Sequence, residues 1–377
     1  MPLMNMRASI IMQFGRKRNR MMSSSTSNRE PWLMLPSYGD RSSTKLYSLA
    51  EKKVVSIKKE TAAPAWAQGR VIHMGCTHGW MASFNMFNRQ TFLSNPITGR
   101  HIKLPDIHTF LKSPYDPASI ILTSSPDAHD CRAIMTSDWS YKPLAVCFPA
   151  HTTTNWLPVD LAVCDPKQIV YSTRQSLLFC ITWGDGDEDK YEGVLECWDL
   201  ESPSFVWKVP SLIDVDKDDD RQPLYLVMDE HSDRLFLVMR HVLGHVQRDG
   251  SHLKSLCTNL GFPHKTISFD VYEIDAKKGK LSYMEGSLDG LAMFVGGNHS
   301  FALPAAEFNL NPDSIYFVED YSQLNYTMTQ DGAITHNDHD FGIFNYLDRK
   351  ISSIYYPSQL SYISRIAPAF WFTPTHH

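Results

Sequence analysis

The chain has 377 residues, of which 43% are hydrophobic and 12% aromatic, enough to bury the core of one large all-β domain or of two ordinary domains. The formal net charge is −5, but residues 1–29 hold six basic residues and no acidic one, which leaves 30 basic against 41 acidic residues, or −11, in the remainder. A protein that binds nucleic acid needs a basic face, so this acidic body argues against a nucleic-acid partner.

The first 29 residues are rich in arginine and serine and contain no acidic residue. Met6, Ile10, Ile11 and Phe14 fall close to one face of a helix, with the arginines off it. This combination is typical of an organellar transit peptide, and the dominance of arginine favours mitochondria. We therefore predict that residues 1–29 are a disordered segment that targets the protein to mitochondria. The basic residues are Arg7, Arg16, Lys17, Arg18, Arg20 and Arg29.

The same segment has a second interpretation. Its hexamer "GRKRNR" is also typical of a nuclear signal or of a disordered basic tail. A secretory signal is not expected, because the apolar stretch is too short and interrupted. No run in the chain approaches the ~18 apolar residues of a membrane span. We expect no membrane span.

Seven cysteines are scattered along the chain without a C-x-x-C pair. An odd and dispersed set is typical of buried, reduced thiols rather than of a disulfide scaffold. They are Cys76, Cys131, Cys147, Cys164, Cys180, Cys197 and Cys257.

Residues 30–377 are predicted to form an all-β domain. Short apolar segments with alternating polarity recur there, rich in β-branched and aromatic residues and separated by clusters of Gly, Pro, Asp and Asn. Short helices are expected only at 106–113 and at 299–308, and Pro304 interrupts the second. The clearest strands are "SLLFCITW" (176–183), "GVLECWDL" (193–200), "LYLVMDE" (224–230), "RLFLVMRHV" (234–242), "TISFDVYEID" (266–275) and "SIYFVED" (314–320).

The stretch "HMGCTHG" places His73, Cys76 and His78 close together, as three metal ligands would be. A zinc site needs a fourth ligand or an open catalytic position with supporting residues, and no partner motif follows. We predict a structural hairpin here and no metal site.

A second hairpin is predicted in "FLSNPITGRHIKLPDI" (92–107). The side chain of Asn95 can accept a hydrogen bond from the backbone two residues on, Pro96 presets the first turn position, and Gly99 tolerates a positive φ. Ile102 and Leu104 then alternate with polar residues, as in a half-buried strand.

Three other motifs are predicted to be structural. "DGDEDKYEGVLE" (185–196) has acidic residues at EF-hand spacing, but Lys190 stands where the loop needs glycine. "DVDKDDDR" (214–221) repeats the acidic run, and both are expected to be solvated loops. "GGNHSF" (296–301) lacks the G-x-S-x-G elbow of a serine hydrolase. We therefore assign no catalytic, cofactor-binding or metal-binding residue and expect no cofactor.

Four segments share one pattern, in which an apolar strand, a polar turn and a second strand follow each other. A few strands per unit, repeated over ~320 residues, predict a β-propeller of about six or seven blades. A pair of two-sheet sandwiches is the alternative, because periodicity alone does not distinguish them. The four segments are 87–105, 196–211, 271–287 and 342–357.

The ordered motifs "PWLML", "LYSLAEKKV", "GCTHGW", "FLSNPITGRHIKLP", "SFDVYEID", "SLDGLAMFVGGNHSF", "SIYFVED" and "DFGIFNYLDRKISSIYYP" resemble the plant F-box-associated family with a KIB-type β-propeller, domain of unknown function 295. The resemblance runs from Pro31 to Pro357. It implies that "GCTHGW", Gly75 to Trp80, lies at the inner end of a first blade. In relatives that carry an F-box, that helical module binds a Skp-type adaptor of a ubiquitin ligase and the propeller captures the target.

This chain departs from that pattern at its N-terminus, where a basic tail stands in place of the leucine-rich F-box helices. It resembles the organelle-targeted branch of the family, which lacks the F-box. The expected function is therefore that of a non-enzymatic, protein-binding β-propeller in mitochondria, with an unknown protein partner and no binding to a Skp-type adaptor. The alternative is a substrate-recognition subunit of an F-box-type ubiquitin ligase in the cytosol or nucleus.

Overall fold

The structure is a computed structural model in which the part of the chain that can be described is almost entirely β-strand. Two 3-10 turns, Ala65–Ala67 and Ala305–Glu307, are its helical elements, and neither is long enough to cross a membrane. The described residues are 30–35, 43–58, 63–68, 71–85, 87–107, 118–137, 144–151, 155–159, 166–185, 190–200, 204–216, 223–243, 265–275, 278–297, 299–318, 327–328, 334–335, 340–354 and 369–374.

The strands follow each other as antiparallel sheets of four, which we call blades. Three strands of the closing blade come first: β1 (Trp32–Leu35), β2 (Ser43–Ser48) and β3 (Lys53–Lys58). Blade 1 contains β4 (Val71–Thr77), β5 (Trp80–Asn85), β6 (Thr91–Ser94) and β7 (His101–Lys103). Blade 2 contains β8 (Ala118–Leu122), β9 (Ala133–Ser137), β10 (Leu144–Cys147) and β11 (Leu157–Val159).

Blades 3 and 4 continue this arrangement. Blade 3 contains β12 (Pro166–Ser172), β13 (Leu177–Asp185), β14 (Lys190–Asp199) and β15 (Ser204–Asp216). Blade 4 contains β16 (Leu224–Asp229), β17 (Arg234–Leu243), β18 (Lys265–Asp275) and β19 (Lys280–Tyr283).

Blade 5 departs from the simple order. Its strands are β20 (Leu291–Val295), β21 (Phe301–Pro304), β22 (Ser314–Phe317), β25 (Gly342–Asn345) and β26 (Lys350–Ser352), with a separate hairpin of β23 (Thr327–Met328) and β24 (Ile334–Thr335). β20 pairs in parallel with β22, and β21 pairs in parallel with β16 of blade 4. β21 therefore joins blades 4 and 5 into one nine-stranded sheet.

The last strand closes the ring. β27 (Phe370–Phe372) pairs antiparallel with β1, opposite Trp32 to Met34, and so completes the blade that the N-terminal strands began. The Trp371 indole also donates from Nε1 to the carbonyl of Val295 in blade 5 at 3.0 Å. The two ends of the described chain are thus held in a single sheet.

Six hydrophobic clusters show that the sheets stack around a common axis. Alternate residues of a strand point to opposite faces, so in β8 Ile120 and Leu122 pack against blade 1 while Ile121 packs against blade 3. The other clusters lie between blades 3 and 4, blades 4 and 5, blade 5 and the closing blade, and the closing blade and blade 1. The circuit is complete after six blades. The predicted all-β propeller is confirmed, and the described strands form six blades.

The four segments with a shared pattern are the outer hairpins of four blades. They contain the pairs β6–β7, β14–β15, β18–β19 and β25–β26, each of which forms the outer two strands of its sheet. The sequence pattern recurs because each of these hairpins has one apolar side, which packs against the propeller, and a polar turn at the surface.

Among the described residues, the outer strand of every blade has one edge without a partner strand, and each of these strands contains a lysine or a proline. Both residue types hinder the addition of another strand, because lysine brings charge and proline lacks the N–H. These residues are Lys53 and Lys58 in β3, Lys103 in β7, Pro158 in β11, Lys208 and Pro210 in β15, Lys280 in β19, and Lys350 in β26.

The hairpin predicted at 92–107 is confirmed. Asn95 Oδ1 accepts hydrogen bonds from the backbone N–H groups of Ile97 and Thr98, each at 2.9 Å. Gly99 has a φ of +70° and its N–H donates to the carbonyl of Asn95 at 2.9 Å. The turn lies between β6 and β7, as the alternation required.

Among the described residues, the structure does not show the two short helices that were predicted from the sequence. Residues 299–308 do not form a helix: Phe301–Pro304 is β21, and only Ala305–Glu307 makes a 3-10 turn, because pairing with β20 and β16 holds the backbone extended up to Pro304. Of the helix expected at 106–113, residues 108–113 lie outside the described residues, and 106–107 are irregular.

Candidate functional site

The inner strands of the blades run parallel to each other along the axis and end at one face. Thr77 Oγ1, at the end of β4, accepts a hydrogen bond from Leu122 N, at the end of β8, at 2.8 Å. The turns after β12 and β16 meet where Ser172 Oγ donates to Asp233 Oδ1 at 2.9 Å. We call this surface the turn face and define it by residues 78–79, 123–132, 173–176, 230–233 and 373–374.

The N-terminus of the described chain also lies at the turn face. The His73 and Phe370 rings are 5.5 Å apart, and the backbone of Thr373 hydrogen-bonds the Cys76 thiol, so β27 runs parallel to β4 and ends beside it. β1 is antiparallel to β27, with Trp32 opposite Phe372. β1 therefore begins at the turn face.

β21 lies closest to the axis, because it pairs with the inner edge of β16. Its two sides have different surroundings. Ala302 packs between blades 4 and 5, whereas Phe301 and Leu303 pack on the other side, towards the closing blade, and remain partly exposed. His299 has the same parity as Phe301, its ring stacks on that of Phe301 at 6.3 Å, and it is also partly exposed. This side of β21 lines the central channel.

Two histidines from separate blades are held uncharged at the channel. Burial, with a smaller effect of the nearby His78, lowers the pKa of His299 to about 3. Burial also lowers the pKa of His78, partly offset by a hydrogen bond with the backbone of Leu122. His299 Nδ1 is buried and has no hydrogen-bond partner among the described residues. Both imidazoles are therefore uncharged at neutral pH.

A carboxylate stands at the channel mouth. Glu230 follows β16 directly, and its surface is exposed, yet desolvation by the surrounding protein and the adjacent Asp229 raise its pKa. The Glu230 carboxylate has no hydrogen bond or ion pair with any other described residue. Asp229, in contrast, is buried and accepts hydrogen bonds from His231 N, at 3.0 Å, and from the Ser232 hydroxyl.

The residues of "HMGCTHG" do not converge. His73 Nδ1 lies 3.0 Å from Ser83 Oγ across the β4–β5 hairpin, Cys76 packs between the closing blade and blade 1, and His78 points to the neighbourhood of His299. The predicted hairpin is thus present, at the inner end of blade 1. Among the residues that the structure describes, no three His, Cys, Asp or Glu side chains are arranged to hold a metal ion.

The acidic motifs are only partly loops. β13 extends to Asp185 and β14 begins at Lys190, so Glu196 lies inside a strand and is fully buried. Its Oε2 accepts a hydrogen bond from Trp198 Nε1 at 3.0 Å, and burial raises its pKa. Asp214 and Asp216 belong to β15. Residues 186–189 and 217–222 lie outside the described residues.

The cysteines in the described part of the chain are free and buried, as predicted. Desolvation raises the pKa of Cys76 and of Cys197 to about 12, and it also raises the pKa values of Cys131 and Cys147. A thiol attacks only as thiolate. These four side chains are therefore protonated and inert at physiological pH. Cys164 and Cys257 lie outside the described residues.

The channel mouth carried no sequence signal. Glu230 was the last letter of a predicted strand, and His299 was considered only as part of a glycine-rich motif. Their positions depend on β21 pairing with β16, which local periodicity does not encode. Alternation along 299–303 could have indicated that His299, Phe301 and Leu303 share a side.

A family model described as "KIB1-4 beta-propeller" matches residues 46–345. No curated protein matches the chain. The match begins within β2 and extends to the end of β25, so it includes His78, Glu230 and His299.

Several solved structures are similar at low sequence identity. A chain of the nidogen/laminin complex has 12% identity and a TM-score of 0.35, over 67% of this chain and 91% of that one. The Cps50 (Swd1) β-propeller domain of Myceliophteria thermophila has 10% identity and a TM-score of 0.35, over 85% and 98%. The tricorn protease has 10% identity and a TM-score of 0.34, over 87% of this chain but 30% of its own. Similarities with such low TM-scores and sequence identities give no information about function.

Proposed function

Because the chain belongs to the KIB1-4 β-propeller family, we propose that it is a non-enzymatic protein-binding module of mitochondria whose turn face contacts the partner. The observation that carries this proposal is the convergence, at one face, of turns from separate blades. A carboxylate without an ion pair among the described residues is exposed there, at Glu230. An exposed carboxylate of this kind on the turn face would help to fix the orientation of a bound protein.

The chemistry near the channel favours recognition over catalysis. The two imidazoles are uncharged, and the pKa of His299, at about 3, is far from the range of a general acid or base at neutral pH. The thiol of Cys76, the cysteine nearest to His78 in sequence, is protonated. Neither group is therefore prepared for acid–base or nucleophilic catalysis at neutral pH.

Photo-crosslinking tests the binding surface. We expect p-benzoylphenylalanine placed at Arg174 or His231, both exposed on the turn face, to capture the same partner from mitochondrial extract in a saturable way. The same probe at Lys103, exposed on the outer strand of blade 1, is the control and should not capture it. Equal capture from Lys103, or no saturable product from either turn-face position, would contradict the proposed surface.

Mitochondrial targeting is proposed from the composition of residues 1–29, which are arginine-rich and free of acidic residues. A fluorescent fusion of residues 1–40 should enter mitochondria, since import depends on a positively charged amphipathic segment. Replacing Arg7, Arg16, Arg18 and Arg20 by glutamate should abolish entry, and replacing them by lysine should preserve it. A nuclear or diffuse signal from the unmodified fusion would favour the alternative, a substrate-recognition subunit of an F-box-type ubiquitin ligase.

A further inference from the structure

We propose that His129 and His151 form a binding site for one divalent copper or nickel ion, which would join two turns at the turn-face end of blade 2. The two residues are 22 positions apart in the sequence, and neither belongs to a motif that predicts a metal site. The inference does not depend on the proposed function, because it concerns a metal ion and not the bound protein.

Two hydrogen-bonded turns bring these residues together. His129 lies in the turn between β8 and β9, where Cys131 N donates to the carbonyl of Ala128 at 3.1 Å. His151 follows β10 and closes another turn, since its own N–H donates to the carbonyl of Phe148 at 3.0 Å. Because β9 and β10 pair antiparallel, the start of β9 lies beside the end of β10, and the two turns are neighbours.

A hydrogen bond between the two turns determines which nitrogen of His151 is protonated. Its Nε2 lies 3.3 Å from the carbonyl oxygen of His129, and a carbonyl only accepts, so Nε2 carries the hydrogen. Nδ1 then carries the lone pair that a metal ion needs, and an ion bound there takes the place of any hydrogen bond that this nitrogen accepts. Histidine ligands commonly donate their other N–H to a backbone carbonyl, which fixes the ring in this way.

The separation of the two rings fits a shared ion. Their centroids are 4.5 Å apart and their planes are inclined by 59°. With about 2.0 Å from metal to nitrogen and about 1.1 Å from nitrogen to centroid, two imidazoles on one ion have centroids about 4.4 Å apart at a right angle and about 5.1 Å apart at the tetrahedral angle. The observed separation matches the right angle of tetragonal copper(II) and nickel(II) sites better than the tetrahedral angle of zinc.

The two imidazoles supply the protein ligands, and water would complete the coordination. Within the part of the chain that the structure describes, no third His, Cys, Asp or Glu side chain joins them in a metal-binding arrangement. The Cys131 thiol donates to the carbonyl of Ser124 at 3.3 Å, and burial raises its pKa. The Asp127 carboxylate accepts two hydrogen bonds from Arg100, at 2.7 and 2.8 Å. Imidazole suits copper and nickel, whereas Mg²⁺ and Ca²⁺ need oxygen ligands, so the site should exclude these two cations.

Copper binding to the full chain tests the site. The parent for all variants carries His376→Asn and His377→Asn, because adjacent histidines also bind copper. We expect calorimetry to show one tightest Cu²⁺ site, with competition by Ni²⁺ and none by Mg²⁺, and electron spin echo envelope modulation to show two coupled imidazoles. His129→Gln and His151→Gln should each weaken binding by about tenfold or more. His231→Gln, which replaces an exposed histidine elsewhere on the turn face, should leave it unchanged.

A parent spectrum with a single coupled imidazole, or unchanged affinity in either His129→Gln or His151→Gln, would overturn the inference. An equal loss in His231→Gln would do the same, because copper would then bind to the turn face without a defined site. Equal competition by Mg²⁺ and Ni²⁺ would contradict imidazole ligation. The number of imidazoles in the parent does not depend on the variants, so it tests the site even where a substitution alters the fold.

Discussion

Replacing Arg240 by methionine is expected to lower the free energy of unfolding by about 3–5 kcal/mol, because the change leaves a largely buried carboxylate without its cation. The side chain of Arg240 is 0% exposed and that of its partner, Asp340, is 14% exposed. Methionine fills a similar volume, so the loss would come from charge and hydrogen bonds rather than from a cavity. Equilibrium urea unfolding measures it.

The hydrogen bonds around Arg240 explain the size of the effect. Nη2 donates to Asp340 Oδ2 at 3.1 Å, Nε donates to Thr266 Oγ1 at 2.7 Å, and Nη1 donates to the Val318 carbonyl at 3.0 Å. Asp340 Oδ2 also accepts the Thr266 hydroxyl at 2.6 Å. The guanidinium thus connects blade 4 with the chain on both sides of the insertion between β22 and β25. Removing it frees several buried polar groups at once.

A double-mutant cycle separates the ion pair from the remaining contacts. Asp340→Asn keeps the shape but removes the negative charge, so the double variant Arg240→Met with Asp340→Asn should be less destabilised than the sum of the two single variants. We expect a coupling of about 1–3 kcal/mol, the range for residues in one buried network. Strictly additive losses, or a loss below about 1 kcal/mol for Arg240→Met, would contradict the assigned role.

The parts of the fold that local chemistry determines were predictable. Asn95 and Gly99 act on their own turn through bonds that span two to four residues, and the hairpin was predicted correctly from them. The strands β13, β14, β16, β17, β18 and β22 were predicted from alternation and from their β-branched and aromatic residues, which are typical of buried strands. The outer hairpins of the blades repeat for the same reason.

The contacts that depend on distant residues were not predictable. Arg240 and Asp340 are 100 residues apart, and nothing near either position indicates the other. The partial alternation of Leu46 to Ile57 is that of one strand, whereas in the structure Leu49 to Lys52 turn the chain and make the hairpin β2–β3. Glu196 belonged both to the predicted strand 193–200 and to the acidic run 185–196 that was expected to be a solvated loop, and the long β13–β14 pairing places it in the core.

Gly75 is a single residue whose role could not be predicted from the sequence, because it depends on a distant part of the chain. In the sequence it is one letter of a motif that suggested metal ligands. In the fold it lies at a bulge of β4, with a φ of +154°, where the inner strands of blades 1 and 2 come together. A Cβ atom at this position would lie 2.3 Å from the carbonyl oxygen of Ile120. The glycine is required by a backbone more than forty positions further along the chain.

Gly75→Ala is therefore expected to destabilise the protein by about 3 kcal/mol or more, the sum of a strained backbone conformation and an overpacked contact. The obstacle is backbone, so Ile120→Ala should not rescue the variant. Gly286→Ala is the matched control for conformation alone: its φ is +70° and nothing lies within 4 Å of the added Cβ, so its cost should stay near 1 kcal/mol.

A comparison with Gly296 shows what a side-chain obstacle would look like. Its φ is +155°, close to that of Gly75, but an added Cβ would meet Val318 Cγ2 at 2.2 Å, which is a side-chain atom. Val318→Ala should therefore recover part of the loss caused by Gly296→Ala, whereas no shortening of Ile120 should recover the loss caused by Gly75→Ala. Urea unfolding of the two pairs decides the point. Rescue of Gly75→Ala by Ile120→Ala, or a cost for Gly75→Ala no larger than that for Gly286→Ala, would mean that blades 1 and 2 do not meet through their backbones at this glycine.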